Sequence, residues 1–321
     1  MTQSDLTQGS IAQHLKSIAI PASIGFFFHT MYNVVDSIFA GRLSTEALAA
    51  LGLSFPIFFI ILAFSTGFGR AAGAIIGNSL GRNTGESTTK QTQETFGFGV
   101  LVTGILMAIG LLFTEPLLKI MGIEGETLRL ALQYTHMIYY GTIGFILFSF
   151  SNSILTAHGD SKPFRNMLIL GFFLNLILNP ILIYGWLGFP ALGFTGIALS
   201  TIIIEFLTGV YLLLLCVKRN YLGRLEIMQL IPQFSFIKEM LIQGIPASMN
   251  MLMISIGFFV TNYFVTQFGA EAIAMFGVAT KIEQIILLPS IGLSIAVSTI
   301  VAQNNGARKF DRVLEVLKTG S

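Results

Sequence analysis

Eight long apolar runs, separated by short polar segments, dominate the chain. They cover residues 15–40, 48–78, 95–113, 128–157, 163–184, 193–217, 237–267 and 271–303. About 20 apolar residues suffice for a helix to cross a bilayer, so each run predicts a membrane-spanning helix. After residue 303 the pattern changes to a basic amphipathic tail (NNGARKFDRVLEVLKTGS), which reads as the entry to a ninth helix.

Within the first run, residues 18–40 contain no Lys or Arg and a single acid, Asp36. A carboxylate at membrane depth costs roughly 2.5 kcal/mol or more, so it tends to face protein or water and to serve a function. Asn33, Tyr32 and His29 lie three, four and seven residues before it, which places all four on one helix face. Two readings fit this stripe: an ion or proton site, or an acid near a helix end that reaches water.

Composition sharpens the class. The 321 residues are 53% hydrophobic and only 11% charged, and mean hydropathy is +0.77. Soluble domains carry about 25% charged residues, so the expectation is an all-α polytopic membrane protein. A net charge of +2 leaves no nucleic-acid footprint. The single cysteine, Cys216, has no partner for an internal disulfide and reads as packing. The polar N-terminus does not read as a cleaved signal peptide, and the first span would direct insertion. There is no phosphate-cradling Walker A pattern. The histidines (His14, His29, His136, His158) have no metal-ligand spacing, and no nucleophile–base constellation is visible. The chain is not expected to be an enzyme. Energy for any transport would have to come from an ion gradient.

Loop charges predict orientation. Lys16, Arg82, Lys90, Lys162, Arg165, Lys218, Arg219, Arg224, Lys238, Arg308, Lys309, Arg312 and Lys318 fall on one side; Arg42, Lys119 and Arg129 fall on the other. Basic loops stay inside, which places the N-terminus in the cytoplasm and predicts a multi-pass protein of the cytoplasmic membrane. Asp36 then lies about 30 Å along its helix from Lys16, in the outer half of the membrane. Glu124 and Glu126 read as a solvated turn on that outer side.

The chain also repeats itself. Ile20-Pro21-Ala22-Ser23 recurs as Ile245-Pro246-Ala247-Ser248, and the 225-residue offset holds without a gap through Gly81 and Gly306, with 19 of 62 positions identical. Six spans separate the copies, which implies a parallel repeat about an axis along the membrane normal, a recurrent transporter plan. The expected organisation is one complete six-helix lobe (residues 1–220), a cytoplasmic linker (221–235) and the start of a second, repeat-related lobe with two helices and a basic tail (236–321). Two full lobes need about 450 residues, so the sequence reads as truncated or as a fragment. The repeat counterpart of Asp36 is Thr261, so the acid belongs to the first lobe alone.

Further polar groups punctuate the spans. Asn175 and Asn179 share a face of the fifth, with Gly171 one turn earlier allowing close approach. Their amides suit cation coordination through oxygen, a grip on a carboxylate through NH₂, or plain interhelical packing. Pro180 would free a backbone carbonyl in the preceding turn. Tyr134, Ser149, Asn152 and Ser153 in the fourth span, Thr201 and Glu205 on one face of the sixth, and Lys281 and Glu283 in the eighth read more simply as packing or internal ion pairs. Arg70 reads as buried in the lobe or snorkelling.

Several stretches resemble the multidrug and toxic compound extrusion (MATE) transporters. They are IPAS and VVDSIFAGRLSTEALAALGLSFP in the first two spans, LTAHGDSKPFRN after the fourth, and NLILNPILIYG in the fifth. GIALST in the sixth and KIEQIILLPSIGLSIAVSTIVAQNNGAR in the eighth complete the set. The resemblance implies two six-helix lobes around a central cavity and cation-coupled antiport of drug-like compounds. It implies a proton or Na⁺ site at Asp36, with Asn175, Asn179, Thr201, Asn152 and Tyr134 completing the pocket. Many members carry an Asp where Asn179 stands, which leaves Asp36 the sole carboxylate of the network and favours H⁺ over Na⁺. No cofactor beyond that ion is implied. The expected partners are a cationic or amphipathic organic substrate and the bilayer, with the protein a monomer. A lipid-linked oligosaccharide flippase is the alternative cargo class, although its diphosphate wants a strongly cationic cavity and the spans hold only Arg70 and Lys281. A truncated, non-transporting remnant is the other alternative.

Overall fold

The computed structural model describes residues 5–83, 85–120, 124–224, 226–266, 268 and 270–320, with side chains between 254 and 285 described only in part. These residues fold as helices throughout: α1 (Ile11–Leu43), α2 (Thr45–Gly81), α3 (Gly85–Ile120), α4 (Gly125–Tyr140), α5 (Thr142–Ala157), α6 (Lys162–Tyr184), α7 (Phe194–Lys218), the short α8 (Ile227–Leu230), α9 (Phe234–Thr266), α10 (Ala270–Gly306) and α11 (Phe310–Gly320). Among the described residues six helices are long and apolar enough to cross a membrane, or seven with α4 and α5 counted as one span.

Local chemistry sets several boundaries. The Ser44 hydroxyl accepts the Ala47 N–H at 3.0 Å and caps the start of α2. Pro163 opens α6, where its missing N–H costs nothing, and Gly185 ends it at φ +74. The predicted span 128–157 is two helices rather than one, bent by 47° at Gly141. The Ile202 side chain packs where a Cβ on Gly141 would sit, so the bend brings α7 close. The predicted span 95–113 extends to Gly85–Ile120 because its polar flank is helical too. Gln93 donates to the carbonyls of Leu222 and Arg224, both at 2.7 Å, and Glu94 accepts from the Gln233 N–H at 3.1 Å. That flank therefore holds the segment between α7 and α9. The predicted span 237–267 falls on α9, and part of it lies outside the described residues. The tail forms α11, a short amphipathic helix with Val316 in a cluster with Leu6, Ile11 and Ile300. It packs on α10 and the start of α1. Cys216 is buried and free, as expected.

The repeat is visible in the packing. α1 lies against α10, and α2 lies against α9. Gly67 of α2 abuts Ser248 of α9, and its repeat mate Gly292 of α10 abuts Ser23 of α1. Gly81 abuts Gln303, and its mate Gly306 abuts Asn78. Both serines turn their hydroxyls onto their own helix, Ser23 to the Ala19 carbonyl at 2.9 Å and Ser248 to Gly244 at 2.8 Å. Small residues at such crossings let helix backbones touch where apolar lipid offers no hydrophobic drive for association.

A side chain at either crossing would force the helices apart. Gly67→Val and Gly292→Val should each destabilise the detergent-solubilised protein by about 1–3 kcal/mol, as overpacking does. Gly104→Ala, where a Cβ meets open space, should leave the melting temperature unchanged or raise it. Thermal unfolding of the three variants checks this.

Candidate ion-coupling site

Asp36 sits in the last third of α1 and is buried, at 5% exposure. α6 brings Asn175 and Asn179 to it from successive turns, both fully buried. Their Nδ2 groups each donate to Asp36 Oδ1 at 2.9 Å. Asn179 also donates to Asn175 Oδ1 at 3.2 Å, and its own Oδ1 accepts from Ser200 at 2.5 Å. The single hydroxyl proton of Thr201 in α7 is within reach of Asp36 Oδ2, at 3.4 Å, and of the Ile197 carbonyl, at 3.1 Å. Three helices thus converge on one carboxylate.

The two carboxylate oxygens are unequal. Oδ1 accepts two amide donors at short range, whereas Oδ2 has only the long Thr201 contact. A proton placed on Oδ2 would donate toward Thr201 Oγ1, while that hydroxyl donates to Ile197. The Thr201 proton would thus serve Oδ2 when Asp36 is ionised and Ile197 when it is protonated, which keeps the pair hydrogen-bonded in both states. Both amide carbonyl oxygens are already acceptors, one for Asn179 and one for Ser200. Hard metal cations are held largely by carboxylate and carbonyl oxygens, and Asp36 is the one carboxylate in this hydrogen-bonded cluster.

Two of the expected residues stand apart. Asn152 is not at this site: it lines the cavity described below and accepts from Thr156 at 3.4 Å. Its position on α5, which packs on α2 and α7, is the reason. Tyr134 is buried in the apolar cluster beside Phe194, at a ring separation of 5.5 Å, and makes no hydrogen bond to Asp36. Of the stripe on α1, Asn33 donates to its own helix at the His29 carbonyl, at 2.9 Å. Tyr32 is buried, its hydroxyl is turned toward Thr201, and its ring stacks on His29 at 5.9 Å.

Ser200 and Glu205 are the residues the sequence reading undervalued. Ser200 precedes Thr201 and was masked by it. Glu205 lies one turn beyond Thr201 on the same face of α7 and is buried, at 5% exposure, with Oε2 unpartnered. Its Oε1 is 3.9 Å from His29 Nε2. Asp36 is thus not the only carboxylate among these helices.

Between α2 and α5 on one side and α9 and α10 on the other lies a cavity of about 340 Å³. Its lining is rich in hydroxyls and amides, among them Ser149, Asn152, Ser153, Gln243, Ser298 and Thr299. Arg70 of α2 also faces it, exposed rather than buried, and no carboxylate lines it among the described residues. The side chain of Lys281 lies outside the described residues, and Glu283 is exposed.

Long apolar helices, a carboxylate buried inside the bundle and a polar cavity between α2 and α5 on one side and α9 and α10 on the other define a multi-pass membrane transporter. The MatE family model matches residues 21–181 and 246–321, two segments that begin one repeat apart, and the chain belongs to the MATE family. It is 29% identical over 317 residues to the probable multidrug resistance protein YoeA of Bacillus subtilis, covering 97% of this chain and 68% of that protein. A relative from Shewanella oneidensis described as an FAD transporter is 29% identical over 316 residues, covering 97% of this chain and 69% of that protein. Among solved structures, an outward-facing multidrug resistance MATE family transporter superposes with a TM-score of 0.88 at 27% identity, over 100% of this chain and 70% of that one. A Pyrococcus furiosus transporter, reported with a binding pocket of reverse polarity, superposes with a TM-score of 0.85 at 27% identity, again over 100% and 70%.

Removing donors from the Asp36 cluster should cost stability in order of the bonds lost. Asn179→Leu and Asn175→Leu each delete a bond to a charged acceptor, about 1.5–3 kcal/mol; Ser200→Ala deletes a neutral one, about 1 kcal/mol. Melting temperatures of the purified variants at neutral pH test this ranking.

Proposed function

We propose that the protein is a proton-coupled antiporter that exports amphipathic organic compounds across the cytoplasmic membrane, with Asp36 as a proton-binding site. The observation that carries this reading is the asymmetry of the Asp36 carboxylate. One oxygen is held by Asn175 and Asn179 and the other is left to a single long contact with Thr201. Such a group can take a proton in place, and a single carboxylate with amide partners supplies little charge to hold a metal ion, which argues for H⁺ rather than Na⁺. Residues 1–220 act as the first lobe, 221–235 as the cytoplasmic linker and 236–321 as the start of the second lobe. The N-terminus and the basic loops lie inside.

Coupling follows from charge. Ionised Asp36 draws the amides of α6 and the hydroxyl of α7 toward α1. Protonation removes the charge and weakens those charge-assisted bonds. α1 is then freer to shift near Pro21, next to the Ser23–Gly292 crossing. Because α1 packs on both α6 and α10, its displacement would be felt at the contact between the lobes and so at the cavity. Proton entry and cargo release would be linked in this way.

The cavity refines the cargo. A cationic compound would find no counter-charge in its described lining, whereas Arg70 offers a guanidinium and the serines and amides offer hydrogen bonds. Arg70 lies about 18 Å inside the helix end at Arg82, where an unpaired charge is costly. This favours an amphipath carrying a negative group, and the Shewanella oneidensis relative described as an FAD transporter is in keeping with it.

Two outcomes check the reading in proteoliposomes containing the transporter. Asp36→Asn should lower pH-gradient-driven export by about tenfold or more, the loss of one essential interaction; undiminished export would contradict the assignment. Arg70→Gln should weaken the apparent affinity for an anionic dye by about 10- to 100-fold, as loss of a charge-assisted bond does, and leave a neutral analogue nearly unchanged.

A further inference from the structure

Glu205 is not used by the Asp36 network, yet it is as deeply buried as Asp36 itself. Its side chain lies in α7, enclosed by α1 and α6, and Oε2 has no hydrogen-bond partner. A buried carboxylate oxygen without a partner bears the full cost of its lost hydration if ionised. The structure places a second protonatable side chain nearby: His29 Nε2 is 3.9 Å from Oε1, beyond direct hydrogen bonding. The pocket between them, about 10 Å³, is at the lower limit for one bridging water. His29 keeps 26% of its side chain exposed against 7% for Glu205, so the imidazole stands between the buried acid and the outside of the bundle.

The site is also linked to Asp36 by position. On α1, Asp36, Tyr32 and His29 are one turn apart; on α7, Thr201 and Glu205 are one turn apart. α1 and α7 thus face each other across two polar levels, Asp36 with Thr201 and His29 with Glu205. Between the levels stands Tyr32, its buried hydroxyl turned toward Thr201.

We propose that Glu205 and His29 form a second proton-binding site, and that this transporter carries two protonatable positions in its first lobe rather than one. One proton binds per site. At the second, Glu205 is neutral when loaded and shares the proton with His29 through a short shift or one water. The Tyr32 hydroxyl, able to accept and donate at once, connects this site to Asp36. The titratable groups that line the pocket around Glu205 are His29 and Tyr32, both from α1. α5 meets α7 with Gly144, Leu147 and Phe148, and α6 meets it with Met167, Leu168 and Gly171; none of these titrates. No cation stands beside Glu205 among the described residues, so protonation is the available means of neutralising it.

This inference rests on the proton-coupled reading of Asp36, and infrared titration of the transporter in nanodiscs separates the two. Acidification should produce two protonated-carboxyl bands in the difference spectrum of the unaltered protein. Asp36→Asn should remove one and keep the other; Glu205→Gln should do the reverse. Glu205→Asp should keep the second band at a displaced frequency, and His29→Gln should keep it with a displaced midpoint, which a merely structural glutamate would not show. In transport, Glu205→Gln should halve the protons moved per cargo. A spectrum unchanged by Glu205→Gln would overturn this inference and leave Asp36 untouched, and a spectrum unchanged by Asp36→Asn would overturn the coupling reading instead. If Glu205→Gln does not fold, Glu205→Asp decides: a second band that does not move refutes the assignment.

Discussion

A carboxylate inside an apolar bundle has to be held by donors from the helices around it. Asp36 is tolerated because α6 supplies two amide donors and α7 a hydroxyl, and those donors meet only if α1, α6 and α7 are packed together. Gly171 lets α6 approach α7 at Ile204, Pro163 and Gly185 fix where α6 begins and ends, and Ser200 holds the Asn179 carbonyl so that its NH₂ points at Asp36. The polar cluster and the helix packing therefore support each other. Losing one donor exposes a charge, and loosening one helix removes a donor.

The second constraint is symmetry. The Gly67–Ser248 and Gly292–Ser23 crossings bring α9 and α10 onto α2 and α1 in matching fashion, but the chemistry at equivalent positions differs. Asp36 has Thr261 as its repeat mate, and Thr261 donates to its own helix at the Gly257 carbonyl. Under the proposed coupling, a symmetric frame with an acid on one side would act as a switch in one lobe that is read at the contact with the other. The same α1 carries Asp36 near one end and the Ser23–Gly292 crossing near the other.

Much of this was legible in the sequence, and the reasons are physical. Hydropathy located the spans because lipid imposes one strong constraint on every segment. Exceptions arose where polar residues make tertiary bonds: Gln93 and Glu94 keep α3 helical beyond its apolar run, and the Gly141 bend appears only once α7 is in place. Asp36, Asn175, Asn179 and Thr201 were legible because each is a polar group on an apolar helix, and the structure brings all four together. Asn152 and Tyr134 were assigned through family resemblance, and the geometry puts one in the cavity and the other in apolar packing. Glu205 was visible as a residue but not as a site, because its importance lies in having no partner. Spacing along a chain cannot report an empty hydrogen-bond position.

In the proposed mechanism, proton uptake by buried acids in the first lobe powers export. It is tested most directly by driving cargo movement in proteoliposomes with an imposed pH gradient or an imposed Na⁺ gradient, the membrane potential held at zero. Proton coupling gives cargo flux and opposing proton flux under the pH gradient alone, with the Na⁺ gradient ineffective. Flux driven by Na⁺ at uniform pH, without proton movement, would contradict it.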